Sequence, residues 1–310
     1  MIITVTLNPS LDKTGWVKNL MPGGLNRLEN ICVDIGGKGI NVSRTIQALR
    51  GDSLCTGFVG GEEGRRLCLE MDRLGLRHRF IQVAGRTRMN LKVISEDGSL
   101  TEFNEPGPTA TRQDVDALLA LLMDYVAMDS IVVLGGSLCA GMEEKTYLTL
   151  ISFLKDLGAT VFLDADGAAF RWAMEAPPDY IKPNCDELLQ YFGVLHPVEE
   201  GELISLCRGL VKKGIRLIAL SMSSAGCFFI TEDRCLCAQG LKVPVVSPVG
   251  AGDSMVGALA LGLEQGLPLE ETAALAVAVS AGSVSTRGTK PPDEATVRQL
   301  QKEVRLVELR

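Results

Sequence analysis

Asp253 has the most specific surroundings of any acid in this chain. It follows Val249-Gly250-Ala251-Gly252 and precedes an apolar run of helical spacing that continues to Gly262. The pattern fits a tight glycine loop entering the first turn of a buried helix. The first N–H groups of a helix lack internal partners and stand at the positive end of its dipole, so they receive anions. A carboxylate placed there repels phosphate. It makes sense as the acceptor of a hydroxyl proton, while the amides of Gly250, Ala251 and Gly252 hold the charge growing on a phosphoryl group. The plain alternative is a cap: Asp is a favoured N-cap residue, and Gly-Ala-Gly also permits close packing. These few residues alone do not separate the two.

Other residues could serve the same chemistry. Lys38 sits among Gly36, Gly37 and Gly39, just before a helical pattern in Ile40, Val42, Ile46 and Leu49. Such a loop can cradle a phosphate through its amides and add a point charge. Arg88, in Thr87-Arg88-Met89-Asn90-Leu91-Lys92-Val93, and Arg27 carry guanidinium groups, which bind phosphate bidentately. For each of these cations the alternative is an ordinary solvated side chain. Lys182-Pro183-Asn184 is followed by Glu187, which suits hydrated Mg²⁺ held through few protein ligands. The same Asn184–Glu187 spacing also reads as a capping box. Neither G-x-x-x-x-G-K-[ST] nor G-x-G-x-x-G occurs, so the P-loop and the dinucleotide fingerprint are not available.

The elements that must carry these residues alternate. Ile2 to Leu7 reads as a strand stopped by Asn8-Pro9-Ser10, which places Asp12 at a strand's carboxyl end. From Gly15 to Ile35 the pattern is short strands that leave the main sheet. Phe80–Val83, Met89–Ile94 and Leu100–Phe103 also read as strands. From Thr111 helix and strand follow in turn, with polar stops at Ser137, Asp164, Lys182/Asn184 and Ser221. A strand-rich piece from Cys227 to Val246 leads to the Asp253 motif, and two or three helices close the chain. This rhythm implies a mostly parallel sheet covered by helices on both faces, with a separate small sheet acting as a lid. Ligands gather at the carboxyl ends of such strands, where the polar stops fall together.

The chain has 310 residues, 46% of them hydrophobic, and a formal net charge of −7. An acidic balance argues against nucleic acid or an anionic membrane as the main partner. No stretch reaches the ~20 apolar residues of a membrane span, and the N-terminus lacks the basic start of a signal peptide. Nine scattered cysteines without a C-x-x-C, and only two histidines, suit reduced thiols in a cytoplasm better than a zinc site.

Taken in order, TLNPSLD, GGKGINVSR, GFVGGEEG, TRMNLKV, GGSL, KPN with Glu187, and VGAGDSMVGA resemble the ribokinase-like sugar kinases in their phosphofructokinase B branch, essentially end to end. The resemblance implies a Rossmann-like three-layer α/β/α sandwich. It would be a single kinase domain over residues 1–310, with lid strands from about 12–35 and 86–104. It also implies ATP as phosphoryl donor with Mg²⁺. By the same resemblance Asp253 matches the base and Gly250, Ala251 and Gly252 the anion hole. Asp12, Gly37 and Asn41 match sugar contacts. Arg27, Lys38, Arg88 and Ser137 are candidates for a phosphate already on the sugar. Lys182, Asn184, Ser221 and Gly226 match the nucleotide side, and Glu187 the residue linked to Mg²⁺, through water. Departures fall at Cys139-Ala140-Gly141, at LDADG and at Ser221-Met222-Ser223-Ser224-Ala225-Gly226, so the resemblance carries no nucleotide contact over to Ser223 or Ser224.

The implied reaction is phosphorylation of a ketohexose phosphate, fructose 1-phosphate before tagatose 6-phosphate or fructose 6-phosphate. A non-catalytic binding relative is the rival from another class, and the presence of Asp253 speaks against it. Apolar Ile31, Val33 and Ile35, taken as exposed on the lid, suggest a homodimer formed by lid-to-lid pairing.

Overall fold

In the computed structural model, which describes residues 1–309, the aliphatic run Ile2–Thr6 forms a strand, β1, buried along its whole length. The chain continues through β2 (Ser10–Val17), β3 (Glu29–Gly36), α1 (Lys38–Ala48), β4 (Ser53–Val59), α2 (Gly61–Arg73) and β5 (Arg77–Gln82). Next come β6 (Arg88–Ser95), β7 (Leu100–Phe103), α3 (Arg112–Tyr125), β8 (Ile131–Gly135), α4 (Thr146–Asp156) and β9 (Thr160–Asp164). They are followed by α5 (Gly167–Ala173), β10 (Tyr180–Ile181), α6 (Cys185–Phe192), α7 (Glu200–Val211) and β11 (Leu217–Ser221). The last elements are β12 (Gly226–Ile230), β13 (Cys235–Gln239), α8 (Ala251–Glu264), α9 (Leu269–Val284), α10 (Glu294–Gln301) and β14 (Leu306–Leu309).

Among the described residues one sheet runs β14-β13-β12-β11-β10-β9-β8-β1-β4-β5. From β11 to β5 every pairing is parallel, and β12, β13 and β14 add on antiparallel. Parallel strands need helical crossovers and are covered on both faces. Ile3, Val5 and Leu7 of the first strand segment pack with Leu118 and Leu122 of α3, Leu150 of α4 and Leu210 of α7. Ile2 joins the opposite layer, with Val42 and Ile46 of α1, Val256 and Leu259 of α8 and Val279 of α9. The period of two along a strand thus divides the residues between two cores. The three layers with a mostly parallel sheet are those expected from the alternation.

The second sheet is β3-β2-β6-β7. Its attachment is a third apolar cluster, in which Leu11 of β2 and Ile35 of β3 pack on Val59 of β4 and on Leu67 and Met71 of α2. Three expectations are corrected here. Ile35 is only 2% exposed and Val33 packs against the same cluster, because the carboxyl end of β3 lies against the molecule's own core; Ile31, at 51%, is further back along the strand, beyond that contact. Asp12 lies inside β2, in the small sheet, rather than at the end of a main-sheet strand. The chain ends in a strand, β14, after its last helix, because the free edge of β13 accepts the backbone of Leu306–Leu309.

Candidate active site

Helix α8 has no exposed face: every residue from Asp253 to Gly262 is buried. A helix that is apolar all round sinks into the core, and its first turn comes to rest at the carboxyl edge of the parallel strands. Its N-cap is Gly250, held at φ 83° in the left-handed region that favours glycine, and no side chain caps the helix. The first-turn amides of Ala251 and Gly252 therefore remain available to an anion.

Asp253 is the acid of that first turn. Its Oδ2 accepts a hydrogen bond of 2.7 Å from Asn41 Nδ2, in the first turn of α1. The two helices approach closely because Gly257 has no side chain: a Cβ there would stand 2.9 Å from both Thr45 Cβ and the Val42 carbonyl oxygen. Thr45 Oγ1 and Ser254 Oγ lie 3.3 Å apart at the same crossing. Burial pushes the Asp253 carboxyl up to about 6, and the nearby Asp164 carboxylate adds to the rise; the Asn41 bond and the ammonium groups of Lys38 and Lys182 oppose it. A base with that value is ionised at neutral pH yet still holds a proton well, which suits general-base work.

Asp164, the last residue of β9, is buried between two lysines. Lys38 Nζ donates to its Oδ1 at 3.0 Å and Lys182 Nζ lies 3.7 Å from the same atom. Burial alone would raise the Asp164 carboxyl, but Lys182 and Lys38 hold it below its ordinary value. Burial would likewise lower Lys38, and Asp164 and Asp253 more than offset it, so Lys38 stays firmly protonated. A Cβ on Gly252 would stand 3.3 Å from Lys182 Nζ, so this ammonium lies against the α8 first turn. Two cations and an open helix end at one point make a strongly anion-attracting spot.

The remaining candidates divide. Arg88 on β6 donates to the Asn8 carbonyl oxygen at 3.0 Å, while its buried Nε has no partner; burial lowers its pKa, and Asp12 works against that. Asp12 is buried in the small sheet over the same region. Ser137, just beyond β8, accepts from Asn8 Nδ2 at 3.4 Å and is exposed. Gly37 is the N-cap of α1. Ser221 ends β11, its Oγ donating to the Pro183 carbonyl oxygen at 3.3 Å, and Gly226 opens the neighbouring β12. Asn184 and Glu187 form a full capping box at the start of α6: Asn184 Oδ1 accepts from Glu187 N at 2.8 Å, and Glu187 Oε2 accepts from Asn184 N at 2.9 Å. So the capping interpretation holds geometrically. Glu187 is still near enough to act electrostatically on Lys38. Arg27 is not brought to the group: it is exposed in the segment joining β2 to β3, and among the described residues it makes no ion pair.

Asp164, noted in the sequence only as a polar stop at a strand end, anchors both lysines. Two further residues were missed in the sequence. On β6, Asn90 and Lys92 both reach Asp12, at 3.0 and 2.8 Å. The signal was available, because Arg88, Asn90 and Lys92 alternate at period two and so share one face of a strand.

The sandwich and its sheet edge, with a buried carboxylate at an open helix end flanked by paired lysines, define a class: a kinase that phosphorylates an alcohol group. The chain belongs to the pfkB family of carbohydrate kinases, whose model matches residues 7–296. It is 36% identical over 310 residues to a 1-phosphofructokinase of Bacillus subtilis, covering 100% of both chains. To a 1-phosphofructokinase of Vibrio cholerae it is 32% identical, over 98% of this chain and 96% of the relative. Among solved structures, phosphofructokinase-2 of Escherichia coli in complex with fructose-6-phosphate superimposes with a TM-score of 0.91 at 26% identity, covering 97% of this chain and 98% of that one.

Proposed function

We propose that this sugar kinase transfers the terminal phosphoryl group of ATP to the free primary hydroxyl of fructose 1-phosphate, giving fructose 1,6-bisphosphate. The observation that carries the chemistry is Asp253: a buried carboxylate, raised to about 6, in the first turn of an uncapped helix. Full-length similarity to 1-phosphofructokinases supports the choice of substrate.

The residues present fit a nucleotide triphosphate. Gly252 leaves room for the Lys182 ammonium beside the α8 amides, and Lys38 is held within the same group by Asp164. In this reading Asp253 takes the proton of the attacking hydroxyl, oriented through Asn41. The amides at Ala251 and Gly252 stabilise the negative charge on the moving phosphoryl group. Lys38, expected at the phosphate already on the sugar, is drawn by Asp164 to the side of Lys182 instead, and the two ammonium groups hold the phosphates in line, so that catalysis is mainly positioning and electrostatics. Mg²⁺, when bound with the nucleotide, would neutralise phosphate charge, with Glu187 oriented toward it through water. Arg88, with its unpartnered Nε, holds the phosphate already on the sugar, and Asp12 contacts a sugar hydroxyl. The small sheet would act as a lid that excludes water, the competing acceptor.

A ketofuranose carries a hydroxymethyl-type arm on each side of its ring oxygen, so flipping the ring nearly exchanges C1 and C6. The likeness to the fructose-6-phosphate complex keeps fructose 6-phosphate, and with it tagatose 6-phosphate, in the comparison. ADP release should be measured across fructose 1-phosphate, fructose 6-phosphate, tagatose 6-phosphate, ribose and adenosine. Fructose 1-phosphate is expected to give the highest kcat/KM. Equal use of ribose or adenosine overturns the phosphosugar reading.

Among the described residues no helix is long and apolar enough to cross a membrane. All nine cysteines are unpaired, and free thiols fit a reducing, cytoplasmic setting. A homodimer through the small sheet rests on Ile31 together with the exposed Leu100 and Phe103 of β7, since Val33 and Ile35 are engaged by the molecule's own core.

A further inference from the structure

We propose that Lys92 is a positioning residue for sugar recognition: it fixes Asp12 so that one carboxylate lone pair, and no more, faces the substrate. The proposal rests on the reading above that Asp12 contacts a sugar hydroxyl.

The register of the small sheet brings these groups together. Asp12 on β2 is paired directly with Asn90 on β6, and Lys92 comes two residues further along β6, on the same face. On its other side Asp12 is paired directly with Asp34 of β3. Like charges placed opposite one another across strands repel. Asp12 is also buried, so its charge needs a partner. Lys92 supplies it: its ammonium, on a side chain only 11% exposed, donates to Asp12 Oδ2 at 2.8 Å. It also lies 3.9 Å from Glu102 on β7, directly across from Lys92 in the register. One cation therefore serves acids on the strands to either side of its own.

The acceptor count then becomes restrictive. A carboxylate offers about four lone-pair sites. Oδ1 receives Ser10 Oγ at 2.7 Å and Asn90 Nδ2 at 3.0 Å, and Oδ2 receives Lys92. One site remains, on Oδ2. Asn90, whose Nδ2 is engaged by Asp12, has its own Oδ1 buried without any hydrogen-bond partner, a second acceptor still to be satisfied. Together the two oxygens form a pair of acceptors suited to two neighbouring hydroxyls of a sugar. Without Lys92 the Asp12 carboxylate would turn from Asp34, and its remaining lone pair would no longer be aimed where the hydroxyl needs it.

The test is a double-mutant cycle on the full chain, using fructose 1-phosphate and ATP as probes. Lys92→Met should raise the KM for fructose 1-phosphate about ten- to a hundred-fold, as expected for a charge-assisted bond, with the KM for ATP within about twofold. Lys92→Arg should recover much of that loss. In an Asp12→Asn background Lys92→Met should add less than about twofold, because it acts through Asp12. An unchanged KM in Lys92→Met, with a large effect of Asp12→Asn, overturns the role of Lys92 and leaves the sugar contact standing. A full additional loss in the Asp12→Asn background also overturns it, since Lys92 would then act independently. If Asp12→Asn itself leaves KM unchanged, the sugar-contact reading fails, and this proposal with it. Should Lys92→Met fail to fold, Lys92→Gln carried through the same cycle decides the matter.

Discussion

Asn41 donates to Asp253 across 2.7 Å although the two residues are 212 positions apart in the chain. The bond occupies one carboxylate oxygen and leaves the other to receive a proton. It also sets the direction of the acid, because both partners sit in first turns of helices that cross closely at Gly257.

Asp253→Asn keeps the hydrogen bond from Asn41, since an amide oxygen also accepts, but it cannot take a proton. Turnover with fructose 1-phosphate should fall by ~10²–10⁴, with ATP binding retained. Near-normal kcat in this variant would remove Asp253 from the mechanism.

The same residue predicts two pH dependences. Activity needs the carboxylate, so kcat/KM should fall on the acid side below a value of about 6. Stability moves in the opposite sense. Between the ordinary unfolded value of about 3.9 and about 6 in the folded chain, the folded state keeps a proton that the unfolded state has lost. Its stabilising effect is complete below the lower value and is lost as pH rises through the upper one. Asp253→Asn should therefore be more stable than the native chain at pH ~8, by on the order of 1–3 kcal/mol, and the difference should close toward pH ~4. Chemical denaturation at several pH values measures this; a constant difference would contradict it.

Asp164→Asn removes the common partner of Lys38 and Lys182. Leaving buried charge uncompensated should destabilise the fold by ~3–5 kcal/mol. It also takes away the negative neighbour that helps to raise Asp253, so the acid limb of the pH–rate profile should move to lower pH. A limb that stays in place would show that burial alone sets the base.

Glu187→Gln separates capping from metal binding. Glutamine can still accept from the Asn184 amide, so the melting temperature should hold, while the Mg²⁺ concentration for half-maximal rate should rise. Asn184→Ala should instead lower stability by about 1 kcal/mol through loss of the cap. If both variants affect only stability, the box at the start of α6 is purely structural.

Replacing Ile31 with Asp tests the association of two copies through the small sheet. A shift from dimer to monomer in sedimentation velocity is expected. A monomer before substitution, or an unchanged dimer after it, excludes pairing at β3.

Much of this site was legible in the chain because its signals are local. Gly250-Ala251-Gly252-Asp253 and the apolar run behind it specify a loop, a helix start and an acid in the first turn without reference to anything distant. The alternation of helix and strand predicted the parallel sheet for the same reason, and Asn184 and Glu187, three residues apart, carried both of their interpretations on their face. Where the outcome depended on what packs against what, the chain was silent. Ile35 has the same apolar character as Ile31, yet one meets Leu67 and Met71 while the other meets solvent; the difference is how far along β3 each stands, since only the carboxyl end of the strand is covered. The strand β14 has few residues and forms because β13 offers it an edge. Arg27 and Arg88 looked alike as guanidinium groups, and only the sheet register brought Arg88 over the site. Lys92 and Asp12, 80 positions apart, became partners through that register. Local pattern determines which groups can do chemistry; which of them meet, and which charge balances which, is decided by non-local strand pairing and by the burial that makes each unpaired charge costly.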